Sequence, residues 1–95
     1  MPEVAIIRRV FLLPGREAEG IRWLEETEPA RREAGQLRQY LVRGQIDPQE
    51  YQWVQLWSSY EAYEGWRRSP SRRQLAEERG RFMTHQPSSF YDVLE

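Results

Sequence analysis

The chain has 95 residues, of which 39% are hydrophobic and 31% are charged, a balance typical of a folded domain rather than a disordered segment. It contains no cysteine, which excludes disulfides, zinc fingers and thiol nucleophiles. Its 14 basic residues are all arginine and face 15 acidic residues, so the net charge is near zero and no lysine can form a Schiff base. No apolar run approaches the ~20 residues of a membrane span, and no signal-peptide core is present. We therefore expect one cytoplasmic domain over residues 1–95 that has no membrane partner.

The chain begins with a predicted strand and helix. Glu3–Leu13 is an apolar, β-branched run in which both alternating sets are mostly apolar, and Pro14-Gly15 ends it. Residues 16–34 predict a helix. Its stripe consists of Ala18, Ile21 and Leu24 and extends weakly through Thr27, Arg31 and Ala34.

The end of this helix and the second strand follow from single residues. Pro29 removes a backbone donor, so we expect a kink or a break near Thr27–Glu28. Gly35 suits the C-terminal cap. Gln36–Arg43 then alternates as a second strand, and residues 44–48 form a turn.

A third strand, Glu50–Trp57, leads into a capped helix. Ser58 or Ser59 can be the N-cap, and Ser58-x-x-Glu61 fits a capping box. One face of the strand holds Tyr51, Trp53, Gln55 and Trp57, and one face of the helix holds Ala62, Tyr63 and Trp66. Which face of the strand meets the helices is left open by the sequence.

A further helix and a last strand complete the chain. Ser69 with Pro70 indicates a new N-cap followed by proline at the first helical position. This short helix continues to about Arg79 and ends at Gly80. Ser89–Leu94 predicts the final strand.

The order of these elements predicts a ferredoxin-like α+β fold. A βαββαβ split arrangement gives one four-stranded antiparallel sheet with its helices on one face. The other face would then carry exposed apolar and aromatic side chains, which usually mark an interface. We therefore predict a homodimer that forms through the open sheet faces.

Three stretches resemble the antibiotic biosynthesis monooxygenase (ABM) superfamily of small dimeric α+β barrels: VAIIRRVFLLPGREAEG, EAGQLRQYLVRG and YQWVQLWSSYEAYEGWRRSPSRRQL. Together they cover nearly the whole chain. The Pro-Gly after the first strand and the glycine before the second also match. The most specific element is a tryptophan that closes the third strand, followed by a patterned helix and Ser-Pro: Trp57, Ser59, Glu61, Ala62, Tyr63, Trp66, Ser69 and Pro70.

The resemblance implies a ferredoxin-like subunit that dimerises through its sheets, with a pocket between sheet and helices. It implies oxygenases that act on aromatic, polyketide-like substrates without metal, flavin or haem. A related branch binds and degrades haem. That branch uses an asparagine, a tryptophan and an iron-binding histidine, which fall here on Arg8, Trp66 and a position at or near Leu75. The surrounding RRQLA holds no histidine, so the iron ligand is missing, and arginine has no lone pair to give to iron. Haem is therefore disfavoured, and we expect no cofactor and no metal.

Seven side chains are candidates for the pocket. Arg8 interrupts an apolar strand, where a charge must find a partner or reach solvent. It either forms an ion pair at the dimer interface or anchors an anion in the pocket. Trp66 is either core packing or a wall that stacks on a flat substrate. We assign Arg8 and Trp66 as catalytic candidates, and as substrate-binding candidates Tyr63, Tyr40, Trp53, Trp57 and His85.

Two of the charged or titratable features also have a simpler interpretation. His85 is the only histidine and lies in a Pro/Ser-rich loop, where exposure is the commoner outcome. Residues 67–81 hold six arginines against two glutamates, which we interpret as a solvated helix face. No strand carries the aromatic RNA-recognition pattern, so nucleic acid is not an expected partner.

These features favour a small, cofactor-independent monooxygenase acting on an aromatic or polyketide-like molecule, with Arg8 as charged donor and aromatic walls. A non-catalytic, dimeric small-molecule binder of the same fold is the alternative, because no side chain is an evident general base. Haem binding is a third, weaker alternative.

Overall fold

The first strand of the chain is the centre of the sheet in a computed structural model, which describes residues 2–95. The elements are β1 (Val4–Leu12), α1 (Glu17–Ala34), β2 (Gln36–Arg43), β3 (Tyr51–Trp57), α2 (Tyr60–Arg67), α3 (Pro70–Arg79), β4 (Met83–His85) and β5 (Ser89–Asp92). The strands lie in the order β2-β3-β1-β4, and β5 also pairs with β1. All pairings are antiparallel, and β1 meets β3 from Val4 opposite Trp57 to Val10 opposite Tyr51. The predicted ferredoxin-like α+β fold is confirmed.

The predicted last strand, Ser89–Leu94, forms as β5, and the structure adds before it a three-residue strand, β4, that the sequence did not predict. β4 pairs with the C-terminal end of β1, and β5 pairs with its N-terminal half. Between them the Gln86 amide donates to the Arg9 carbonyl at 3.0 Å, so the edge continues across the break. Pro87, which cannot donate to a ladder, lies in this break. The sheet therefore has five strands rather than four.

The two faces of the sheet have different environments. On β1 the buried set is Val4, Ile6, Arg8 and Val10, and the alternate set is only partly covered. On β3 the buried set is Trp53, Gln55 and Trp57, whose Cα partners on β1 lie in the same layer. Helices cover this inner face, where both hydrophobic clusters of the core lie. The structure thus settles that the tryptophan face of β3 is the face that meets the helices.

Helix α1 turns the predicted stripe inward from Leu24 onward, but its first turns bury Gly20 and Trp23 in place of Ala18 and Ile21. Trp23, Leu24 and Arg31 are buried, whereas Ile21 is 38% exposed. Gly20 permits this rotation, because a Cβ there would lie 3.0 Å from Leu12 Cδ2. The large indole of Trp23 buries more apolar area than Ile21 would, which favours this phase.

The predicted break in α1 does not occur. The helix runs without interruption from Glu17 to Ala34 with Pro29 inside it. Proline removes the donor that would bond the carbonyl four residues earlier, on Glu25. Glu25 is exposed, so water can reach that carbonyl.

Three local signals position the helices as predicted. Ser59 caps α2 by accepting from the Ala62 amide at 3.1 Å, and Ser69 caps α3 by accepting from the Arg72 amide at 3.1 Å. Ser59 rather than Ser58 is the N-cap, so the capping box from Ser58 does not form. Gly35 ends α1 with φ 124°. Within residues 2–95, no helix is long and apolar enough to cross a membrane.

Candidate functional site

A small cavity lies between the inner face of the sheet and all three helices. Its volume is about 20 Å³, which holds about one water molecule. The sheet supplies Arg8, Trp53 and Gln55 to its lining. We call this space the central cavity.

Aromatic side chains form much of the wall of the central cavity. Trp53, Tyr63 and Trp66 line it, each buried. Trp57 does not line it but packs behind, with its ring centroid 5.5 Å from Tyr63 and 6.4 Å from Trp66. Tyr63 and Trp66 therefore belong to the core and to the cavity wall at once, and Trp57 supports both of them.

The Arg8 guanidinium enters the cavity from the central strand. Arg8 is only 6% exposed, its Cζ lies 5.1 Å from the centroid of the Trp53 ring, and its Nε has no hydrogen-bond partner. Burial lowers the pKa of Arg8, Tyr63 opposes this effect, and the charge of Arg72 adds to it. Because Arg8 points toward the helices and not toward the open sheet face, it cannot form an ion pair at an interface on that face.

Arg31 is a second buried guanidinium, and it is held firmly. Its Nη1 donates to Thr27 Oγ1 at 2.8 Å, and its Nη2 donates to the Leu24 carbonyl at 2.8 Å and to Gln39 Oε1 at 2.9 Å. All three acceptors are neutral. Burial lowers the pKa of Arg31 to about 10, with Glu28 opposing and Arg79 and Arg8 adding to the shift.

Helix α3 brings two more arginines to the cavity. Arg72 and Arg79 line it on either side of Leu75. Burial, Arg8 and Arg72 lower the pKa of Arg79 to about 10, against the effect of Tyr63. The interpretation of residues 67–81 as a solvated helix face is therefore wrong for Arg72 and Arg79, although Arg68 and Arg73 are exposed.

His85 lies at the end of β4, beside the cavity but outside its lining. Its Nε2 is 3.0 Å from Arg79 Nη2, and its Nδ1 is 3.0 Å from the Gln86 carbonyl oxygen. Since the guanidinium can only donate, Nε2 accepts and the ring proton is on Nδ1. Partial burial lowers the pKa of His85, and the charges of Arg79, Arg8 and Arg72 add to this effect against the Gln86 carbonyl.

Tyr40 does not reach the central cavity. It pairs with Val54 on the open sheet face and is 48% exposed. A larger, open groove of about 590 Å³ runs between α1 and the β2 edge of the sheet, and Tyr40, Leu24, Leu41 and Trp53 contribute to it. Trp53 lines both spaces, and the Arg31–Gln39 pair lies where they meet.

Sequence reasoning missed Trp23, Arg31, Arg72 and Arg79 as cavity residues. A signal was present on α3, because residues 72, 75, 76 and 79 share one helical face and Leu75 is its apolar anchor. Arg31 already stood on the predicted stripe of the first helix, where its charge made it look like a surface residue.

Haem does not fit these residues. The positions of the haem-degrading branch hold Arg8, Trp66 and Leu75, and all three line the central cavity. Both ring nitrogens of His85 are engaged elsewhere. Among residues 2–95, no group of three or more His, Cys, Asp or Glu side chains could hold a metal ion.

The fold and the cavity define a ferredoxin-like α+β protein with an aromatic, arginine-lined space between sheet and helices. The sequence model of the antibiotic biosynthesis monooxygenase family matches residues 4–78, which is most of the chain. The chain therefore belongs to that family. No curated protein matches the chain.

Solved structures of the same fold come from several bacteria. SnoaB, a cofactor-independent oxygenase from Streptomyces nogalater, superposes with a TM-score of 0.83 at 18% identity, covering 100% of this chain and 96% of that one. A candidate antibiotic biosynthesis monooxygenase from Bordetella bronchiseptica gives 0.80 at 21% identity, covering 100% and 98%. Another from Caulobacter crescentus gives 0.80 at 16%, covering 99% and 92%. At these identities the likeness is one of fold.

Proposed function

We propose that the protein is a cofactor-independent monooxygenase that oxidises an electron-rich aromatic molecule in the central cavity. The observation that carries this proposal is the Arg8 guanidinium, buried against Trp53 with its Nε unpartnered, in a space walled by Trp66 and Tyr63. Indole faces stack on flat rings, and a guanidinium stabilises an oxyanion. Family membership and the fold shared with SnoaB support it.

The chemistry needs an ionised substrate rather than a metal or flavin. An aromatic substrate with an activated CH₂ group loses one proton to give an enolate, which donates electrons to dioxygen and forms a C–O bond. The peroxide then loses water as its O–O bond breaks and the second C–H proton leaves. The sum is CH₂ + O₂ → C=O + H₂O, so all four electrons come from the substrate. Nearby guanidinium charges favour the enolate, which lowers the demand on a base.

The cavity has to enlarge for an aromatic ring to enter. Ligand sites usually have volumes of about 300–1,000 Å³, far above that of the small space beside Arg8. The groove beside α1 is large enough, and Trp53 separates it from the central cavity. We therefore place the access route at Trp53 and the Arg31–Gln39 pair.

Oxygen consumption tests this function. The wild-type protein should consume oxygen with at least one member of a panel of hydroxyanthrones, which carry the activated CH₂ group, above the rate without protein. Trp66→Ala and Arg8→Ala should lower the rate by about tenfold or more, the effect of losing one charge-assisted or stacking contact. Arg73→Ala, an exposed change on α3, is the matched control and should keep the wild-type rate. A panel that gives no consumption above background contradicts the proposal.

Non-catalytic binding is the second candidate, and the state of His85 favours it. Both ring nitrogens are in use, and no carboxylate among the described residues lines the central cavity, so no side chain there is a ready general base. A flat ligand that binds the protein and protects it from heat, without oxygen consumption, would support this candidate.

We also propose that the protein works as a homodimer in the cytoplasm. The open sheet face exposes Phe11 on β1, Tyr40 and Val42 on β2, and Tyr91 on β5. Side chains of this kind, spread over a whole sheet face, are typical of an interface.

A further inference from the structure

Four arginines line the central cavity, and none of them is neutralised there. They are Arg8 from β1, Arg31 from α1, and Arg72 and Arg79 from α3. Within residues 2–95, no aspartate or glutamate contributes to the lining. The ion pairs within 4.0 Å in the same part of the chain use Arg16, Arg32, Arg67 and Arg68. The cavity therefore concentrates positive charge that the protein does not balance.

The carboxylates near the cavity are engaged elsewhere or act from outside. Glu78 Oε1 accepts from Trp23 Nε1 at 3.2 Å, on the far side of the cavity wall. Glu28 raises the pKa of Arg31, but its side chain lines the groove beside α1 and not the central cavity. No carboxylate raises the pKa of Arg8 or of Arg79, for which the Tyr63 phenol is the opposing group, and the charge of Arg8 lowers the pKa of Arg79.

Like charges held together in a buried space are costly unless an anion joins them. At neutral pH Arg31 and Arg79 stay protonated, because burial lowers their pKa only to about 10. Arg8 and Arg31 are buried, Arg72 and Arg79 are half-buried, and all four line the cavity, so a fully solvated surface role does not account for them. The missing component is therefore a negative charge on the ligand.

We propose that the ligand of the central cavity is an aromatic carboxylate, held by Arg8, Arg72 and Arg79 and stacked on Trp66. This rests on the proposed function, which it deepens by naming the charge of the substrate. Guanidinium groups bind carboxylates through paired hydrogen bonds, and Arg8 Nε is a buried donor without a partner. Arg31 is not part of this carboxylate site, because its Nη atoms already donate to Thr27, Leu24 and Gln39, and it forms part of the cavity wall.

Binding of a matched pair of probes tests this. The full chain is titrated by calorimetry with 2-naphthoate and with 2-naphthamide, which share one ring system and differ in charge, at pH 7.5 and constant ionic strength. The naphthoate should bind at least about tenfold more tightly, the factor expected of one charge-assisted hydrogen bond. The neutral 2-naphthol serves as a third probe, since an oxyanion requirement predicts that it binds as weakly as the amide.

Variants assign that binding to the cavity. Arg8→Gln and Arg79→Gln should each weaken naphthoate binding about tenfold or more and leave naphthamide binding unchanged within about twofold. Arg73→Gln removes the same charge from the exposed side of α3 and should retain wild-type affinity. Arg8→Lys keeps the charge and should recover part of the affinity. Circular dichroism confirms that each variant is folded.

The outcomes separate this inference from the proposed function. Naphthoate that does not bind, or binds no better than naphthamide, overturns the inference. So does naphthoate binding that survives in both Arg8→Gln and Arg79→Gln. Selective naphthoate binding without oxygen consumption by any substrate supports the inference and contradicts only the monooxygenase. Oxygen consumption with neutral substrates alone supports the monooxygenase and contradicts the inference of an aromatic carboxylate ligand.

Discussion

Arg8 and Arg31 are both buried guanidinium groups, yet their surroundings predict opposite effects on stability. Arg8→Met should raise the free energy of unfolding by about 1 kcal/mol, because a buried charge with an unpartnered Nε costs more than its cation–π contact with Trp53 returns. Arg31→Met should lower it by about 2–3 kcal/mol, since Gln39 and Thr27 lose a charged donor. Urea denaturation of both variants measures the difference. An Arg8→Met protein less stable than wild type would contradict our account of an uncompensated charge.

His85 gives the fold a dependence on pH. Its pKa in the folded protein is below the ordinary value, so between about pH 6.5 and the lowered pKa only the unfolded chain binds the proton. Stability is therefore complete above about pH 6.5 and falls as the pH drops through that window. The urea midpoint of the wild-type protein should decrease more between pH 7.5 and pH 5 than the midpoint of His85→Gln. The carboxylates are the same in both proteins, so their contribution to the decrease cancels in this comparison. Equal decreases in the two proteins would show that Arg79, Arg72 and Arg8 do not act on this imidazole.

Two glycines show how the helices are fixed to the sheet. Gly35 has φ 124°, and a Cβ there would lie 2.9 Å from Ala62 Cβ, so Gly35→Ala adds backbone strain and a clash between α1 and α2. We expect a loss of about 1–3 kcal/mol. Gly65 lies within α2, and a Cβ added there would have no atom within 4 Å. Gly65→Ala should therefore raise the free energy of unfolding by about 0.5–1 kcal/mol. Thermal unfolding of the pair gives the comparison, and a stable Gly35→Ala would disprove the tight α1–α2 junction.

The elements that the sequence predicted well are those with local signals. Ser59, Ser69, Pro70 and Gly35 act on backbone groups within four residues, so each boundary can be derived from its neighbours. The inward face of the first turns of α1 was predicted wrongly because it depends on how Trp23 and Gly20 pack against distant strands. The short β4 was missed because its three residues carry no strand pattern and exist through pairing with β1.

At the scale of the whole molecule, the candidate site was predictable only in part. Trp53, Tyr63 and Trp66 follow from helix and strand periodicity once the sheet face is known. The direction of Arg8 could not be derived, because both alternating sets of β1 are mostly apolar and either face could be the inner one. Its meeting with Arg72 and Arg79 depends on the packing of α3 over the sheet, which brings together residues more than 60 positions apart. Long-range contacts of this kind leave no pattern in a single sequence.

The exposed aromatic and apolar side chains on the open sheet face predict that two chains form a dimer through it. Tyr40 lies on this face beside Val54 and not in the central cavity, so the proposed dimer, and not a substrate in that cavity, would cover its exposed ring. A stable interface needs about 1,200–2,000 Å² of total buried surface, which two faces of this size can supply. Light scattering at micromolar concentration should give twice the 11.5 kDa chain mass. Tyr40→Asp should shift the mass to the monomer, because the carboxylate would be buried without a partner. Ile46→Asp makes the same kind of change in a fully exposed turn and should remain dimeric. A monomeric wild type would remove the interface and leave this face exposed for a different partner.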